Sequence, residues 1–219
     1  VNAINLAPDK GPGYADITIS WVGSPPPPPT GCTVFVTEKV FDGNFLDQGL
    51  QNANPIVNAN QECQNRANDA GLQGEHKAWL STGPTNFDAE DYSPKTDFVR
   101  CETYVLPGGD GPYVAINGFP DLTDGTVANP INELADGTLA QDAETEQYVR
   151  TGTLPDGTAF PDLTCNGWGR GESSGVIGTT LKSNSGWTFQ SPEGCNSIAR
   201  IFCFEQDGTR GATYPSGSI

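Results

Sequence analysis

Apolar and polar residues alternate cleanly near the start of the chain. Ile17, Ile19 and Trp21 share one face of a stretch whose other face is Asp16, Thr18 and Ser20, the period-two mark of a strand with one side buried. Five consecutive prolines at 25–29 follow; in the polyproline II form they make a stiff rod reaching roughly 15 Å. Residues 1–23 thus read as an N-terminal β-strand arm, 24–30 as a linker, and 31–219 as one domain. Within it, CTVFVTEKVF at 32–41 is the opening strand, with Val34, Val36 and either Val40 or Phe41 directed inward. Over 58–70, Ala59, Cys63, Ala67 and Ala70 recur at helical spacing on one narrow face. Asn58 and Gln61 there stand in capping-box positions, and Gly71 is placed to end the helix. HKAWLST at 76–82 reads as a strand with Trp79 in the core. Near the C-terminus, Ile198, Arg200 and Phe202 alternate with Ala199, Ile201 and Cys203. Both sets are largely apolar, which suits a central strand covered on both sides.

Between these elements the texture is one of short apolar patches and turns. Six Asp-Gly and two Asn-Gly pairs supply the left-handed positions that tight turns need. Asp-Gly-Thr occurs at 124, 136, 156 and 207, at intervals too unequal for a regular structural repeat. The segment 134–149, LADGTLAQDAETEQYV, is expected to form a second short helix.

Composition sharpens the picture. The 219 residues include 27 glycines and 18 prolines, favouring short strands and turns over long helices. Acidic residues number 27 against 11 basic ones, for a net charge of −16, which repels nucleic acid and anionic membranes. No apolar run approaches the ~18 residues of a membrane span. The chain lacks methionine, so removal of an upstream secretion signal is expected. The six cysteines, at 32, 63, 101, 165, 195 and 203, are even in number and show no CxxC pair. In an exported chain they read as three disulfides, not a metal cluster, and the expected location is extracellular or cell-surface. No N-x-S/T acceptor is present, so that form of glycosylation is not expected.

Four separated stretches, NANQECQNRANDAGLQGEHKAWLST, PYVAINGFPDLTDGTVANPIN, TCNGWGRGESSGVIG and GCNSIARIFCFEQ, together resemble endostatin-like domains, a branch of the C-type lectin-like fold that includes a bacterial secreted domain of unknown function. The resemblance covers roughly residues 32–206 and implies an α+β, disulfide-stapled domain of short antiparallel strands with one or two helices. It also implies that Cys63 joins Cys203 and Cys165 joins Cys195, leaving Cys32 and Cys101 as the third pair. The heparin-binding arginines and zinc-binding N-terminal histidines of animal endostatins have no counterpart, since this acidic chain holds six arginines and the single His76. The EPN, QPD and WND motifs of calcium-dependent lectins are missing as well, so the fold alone does not imply sugar binding.

Candidate chemistry is sparse. GESSG at 171–175 matches the G-x-S-x-G nucleophile pattern with Ser173, but that pattern works on a strand-to-helix turn with a histidine further on. Here no helix is expected after it and the histidine lies upstream. His76 is a candidate general base without a companion and reads as a surface or strand-end residue. Asp121 and Asp124, and Asp88, Glu90 and Asp91, are candidate calcium ligands by oxygen chemistry, though Asp-x-x-Asp-Gly is a common pattern and a solvated acidic turn is the favoured reading. Trp168 reads as a core residue whose glycine neighbours leave one edge exposed. No cofactor beyond calcium is implied, and no catalytic constellation emerges.

The arm decides between the functional expectations. Burying Ile17, Ile19 and Trp21 contributes ~5–8 kcal/mol, less than ordering the backbone of about eight residues at roughly 1–2 kcal/mol each, so the strand needs a main-chain ladder as well. Donated to a neighbouring copy, it makes a head-to-tail contact that propagates into fibres. The leading expectation is therefore a non-catalytic extracellular subunit that self-assembles through its arm. The other is a monomeric adhesin or ligand-binding module for extracellular protein or glycan partners.

Overall fold

The computed structural model describes residues 31–46, 52–83, 91–108, 112–140, 147–169 and 173–206. The arm with Ile17, Ile19 and Trp21, the linker 24–30, Asp88, Glu90 and the C-terminal 207–219 lie outside the described residues.

The domain is α+β, built on one mixed sheet. In chain order its strands are β1 (Cys32–Val36), β2 (His76–Ala78), β3 (Tyr104–Val105), β4 (Tyr113–Ala115), β5 (Tyr148–Arg150), β6 (Ser174–Thr179), β7 (Ser191–Gly194) and β8 (Arg200–Glu205). Their spatial order is β4-β3-β1-β8-β5-β6-β7, with β2 also on β8. The last strand is the hub. It runs antiparallel to β1, with Phe35 opposite Cys203, antiparallel to β2, with Ala78 opposite Cys203, and parallel to β5, with Val149 opposite Arg200.

Alternation along β1 and β8 divides the interior in two. Val34, Val36, Phe202 and Phe204 face one core, gathered around Trp79, Trp187 and Tyr104. Phe35, Ile201 and Cys203 face the other, beneath a helix and around Trp168. Val34 and Val36 therefore point inward as expected, but Phe35 is equally buried because the opposite face is covered too. In the first core the ring centroid of Trp79 lies 4.9 Å from Trp187 and 5.0 Å from Phe204. Close packing extends to Gly178 of β6, where a Cβ would stand 1.9 Å from the Trp187 carbonyl oxygen.

The helix α1 spans Pro55–Asp69, starting three residues earlier than its apolar spacing suggests. Asn54 is its cap, accepting from the Ile56 and Val57 amides at 2.9 and 3.4 Å, and Pro55 fills the first position, where no N–H is needed. Asn58 is instead buried inside the helix and donates to the carbonyls of Phe45 and Asn52, both at 2.9 Å. At the other end the Gly71 amide reaches Asn68 O and the Leu72 amide reaches Ala67 O, a Schellman closure that needs the left-handed φ of +75° at Gly71. Asn54→Ala is expected to lower stability by about 1 kcal/mol, measured as a shift in the urea unfolding midpoint with unchanged slope. Among the described residues two one-turn α-helices follow, α2 (Pro94–Asp97) and α3 (Phe119–Leu122), with a 3-10 turn at Ser185–Trp187.

No helix forms over 134–140. Asp136 Oδ1 instead accepts from the Thr138 amide and hydroxyl at 3.0 and 2.7 Å, and a bridge between Glu133 and Leu139 closes a hairpin. This local Asx turn outcompetes the helix; 141–146 lie outside the described residues, and β5 takes the end of the segment. TLPDGTAF at 153–160 repeats the device, with the same Leu154–Thr158 and Gly157–Leu154 main-chain bonds as Leu134–Thr138 and Gly137–Leu134.

Three disulfides staple the domain: Cys32–Cys101, Cys63–Cys203 and Cys165–Cys195. They match the pairing implied by the resemblance and fit an oxidising, extracellular setting. No described helix is long and apolar enough to cross a membrane. The third bridge anchors a left-handed turn over Cys165–Trp168, whose φ values are 51°, 52°, 69° and 66°. Each non-glycine residue there costs roughly 1–2 kcal/mol. The bridge, the Trp168 indole donating to Ser81 O at 2.8 Å and the Phe45 amide donating to Trp168 O at 2.8 Å hold it in place.

Candidate functional site

His76 opens β2 and is buried, not on the surface. Its Nε2 lies 3.0 Å from Thr33 Oγ1, and the Thr33 hydroxyl and amide both donate to Glu205 Oε2, at 3.0 and 2.8 Å. With its only proton on the carboxylate, the hydroxyl oxygen accepts from Nε2–H. Burial, only partly offset by a backbone hydrogen bond at Gly74, pushes the ring's pKa down to about 4, so the ring is neutral at neutral pH. This group braces β1, β2 and β8 together. Ser173 sits immediately before β6, so a strand and not a helix follows it. Its Oγ lies 3.5 Å from Cys195 Sγ, and the His76 ring bonds to Thr33 rather than to it.

The acidic candidates are turned toward their own backbones. Asp121 Oδ2 accepts from the Ile116 and Asn117 amides at 3.1 and 2.9 Å, and Asn117 holds its pKa below the ordinary carboxylate value. Asp124 Oδ1 accepts from the amide and hydroxyl of Thr126 at 2.8 and 2.9 Å. Asp91 is exposed. Among the described residues no group of three or more His, Cys, Asp or Glu side chains is disposed to hold a metal. Trp168 leaves no edge exposed; it is fully buried, because the left-handed turn directs its indole inward.

The rims of the sheet bear directly on strand donation. Among the described residues three strands have a single strand partner: β4 on β3, β7 on β6 and β2 on β8. On β4, the carbonyls of Tyr113 and Val114 accept from Asn129 Nδ2 and the Ala128 amide, both at 2.8 Å. On β7, Pro192 has no N–H to offer. The Gly194 amide turns to Glu193 Oε1 at 3.3 Å, and the Gly194 carbonyl takes the buried Arg150 Nη2 at 2.8 Å and the Ser197 amide at 3.1 Å. On β2, the Ala78 and His76 amides donate to Asn60 Oδ1 and Gln64 Oε1 of α1, both at 2.9 Å. Two helix side chains one turn apart replace a neighbouring strand there. Among the described residues each of these rims thus has outward main-chain groups already occupied, or a proline in place of a donor.

One cleft among the described residues, of about 170 Å³, opens where three elements meet. Val36, Thr37 and Glu38 follow from β1, Arg66, Asp69 and Ala70 form the last turn of α1, and Leu134, Ala135 and Asp136 come from the first Asp-Gly-Thr hairpin. Buried Glu62 anchors the helical wall, bonded to Arg66 Nη2 at 3.1 Å and Lys39 Nζ at 3.3 Å. Arg66 Nη1 also lies 3.8 Å from Asp69 Oδ2. Glu38, Asp69 and Asp136 are exposed at the mouth, and the Thr138 hydroxyl and amide hold Asp136 below the ordinary carboxylate pKa. None of these residues is a candidate on sequence grounds. The only local signals are the Asp-Gly-Thr turn and the spacing of Glu62 and Arg66 one helical turn apart. No protein-family model matches the chain, and no curated protein matches it.

Proposed function

We propose that the chain is a non-catalytic extracellular binding module, stapled by three disulfides, that engages its partner through surface side chains and not through a donated strand. The observation that carries this reading is that, among the described residues, the sheet rims have outward main-chain groups already engaged. An arm adding to a neighbouring copy needs an open main-chain edge there, whereas β4, β7 and β2 present Asn129 and Ala128, Pro192, and Asn60 and Gln64 instead. The non-catalytic part is supported by His76, which is buried and engaged by Thr33.

The test is sedimentation of the full, non-reduced chain beside a version lacking residues 1–23. The module predicts monomers for both over a wide concentration range. Polymers that form with the arm and vanish without it would overturn the reading in favour of a self-assembling subunit built through Ile17, Ile19 and Trp21.

A further inference from the structure

We propose that the cleft between the end of α1 and the first Asp-Gly-Thr hairpin receives a lysine or arginine side chain from a protein partner, an inference that rests on the binding-module reading and names its ligand class. The cleft has two kinds of surface. Its apolar lining that a ligand can reach is Ala70, Leu134 and Ala135, and Glu38, Asp69 and Asp136 are its exposed carboxylates. The one cation in the lining, Arg66, is shared between Glu62 and Asp69, so Glu38 and Asp136 carry the excess negative charge of the cleft. Long cationic side chains have the complementary build, an aliphatic stem that lies along apolar surface and a charged head that seeks carboxylates.

Size and rigidity agree with this occupant. A space of about 170 Å³ matches one long side chain and is below the roughly 300–1,000 Å³ of drug-sized ligand pockets. The walls are fixed before the ligand arrives. Glu62 ties the helical side to Lys39, the hairpin is locked by its Asx turn, and Gly108 packs behind it with its amide on Glu133 Oε2 at 2.6 Å. Pre-formed walls lower the ordering cost of binding. The net charge of −16 adds long-range attraction for a basic partner.

The experiment uses the full non-reduced chain and a capped tetralysine peptide, followed by calorimetry and backbone NMR shifts at low ionic strength. The paired variant Glu38→Gln with Asp136→Asn is expected to weaken binding about tenfold or more; asparagine at 136 can still accept from Thr138. Ala135→Trp, which fills the cleft without changing charge, is expected to abolish the shifts around 36–38 and 134–136. A control pair, Glu102→Gln with Asp162→Asn, removes the same charge at exposed positions outside the cleft lining and is expected to bind like the parent. Equal weakening by the control pair, or undiminished binding by Ala135→Trp, would show diffuse attraction to an acidic surface and overturn the proposal. So would equal binding of a peptide with every lysine acetylated. None of these outcomes bears on the monomer-or-polymer measurement, which stands separately.

Discussion

Replacing Cys63 and Cys203 together by alanine lowers the unfolding free energy by about 4–5 kcal/mol. The bridge spans 140 residues, and the loop-closure entropy it withholds from the unfolded chain grows with the logarithm of that length. It also joins α1 to β8, the strand on which β1, β2 and β5 all depend. Both cysteines are fully buried, so the loss includes packing as well as chain constraint. Removing Cys165 and Cys195, only 30 residues apart, is expected to cost about 1 kcal/mol less. Urea unfolding of the non-reduced proteins gives both values. A larger loss from the shorter loop would show that the local support this bridge gives the Cys165–Trp168 turn, and not chain length, dominates.

Acid sensitivity is the second large effect, and it comes from His76. The folded protein keeps the ring neutral down to about 4, while the unfolded chain protonates it near 6.5. As pH falls through that window the unfolded state gains a proton that the folded state resists. Stability therefore drops by about 3 kcal/mol between pH 6.5 and 4 and levels off below. Asp121, Asp136 and Asp156, all held below the ordinary carboxylate value by hydrogen bonds, lose their contributions only in still stronger acid. Glu133, raised by burial, acts in the opposite sense near the bottom of the window. Unfolding midpoints measured across pH for the parent and His76→Gln check this. The variant should lose the slope between pH 6.5 and 4, and a retained slope would place its origin elsewhere.

Much of the scaffold was legible because its residues declare themselves locally. The double-sided apolar pattern of β8 marked a central strand, and the spacing of Ala59, Cys63 and Ala67 marked the buried face of α1. The true start of α1 was also written in the chain, as Asn54 followed by Pro55, but the apolar spacing drew attention to Asn58. The buried role of Trp168 was harder to read. Asn-Gly suggests one left-handed residue, and nothing local suggests the four in succession that turn the indole inward. Asn60 and Gln64 look like a solvated polar face, and only the three-dimensional placement of β2 shows them standing in for a strand. The cleft was illegible for a related reason: its walls come from 36–38, 66–70 and 134–136, and no single stretch carries its chemistry.

The left-handed turn also bears on the order in which the molecule assembles. A segment whose backbone prefers the opposite hand cannot seed its own conformation, so Cys165–Trp168 reaches its final shape only once Ser81 and Phe45 are in position to receive it. That places the turn late on the folding route, after the sheet it plugs. Mutations within it should then accelerate unfolding far more than they slow folding.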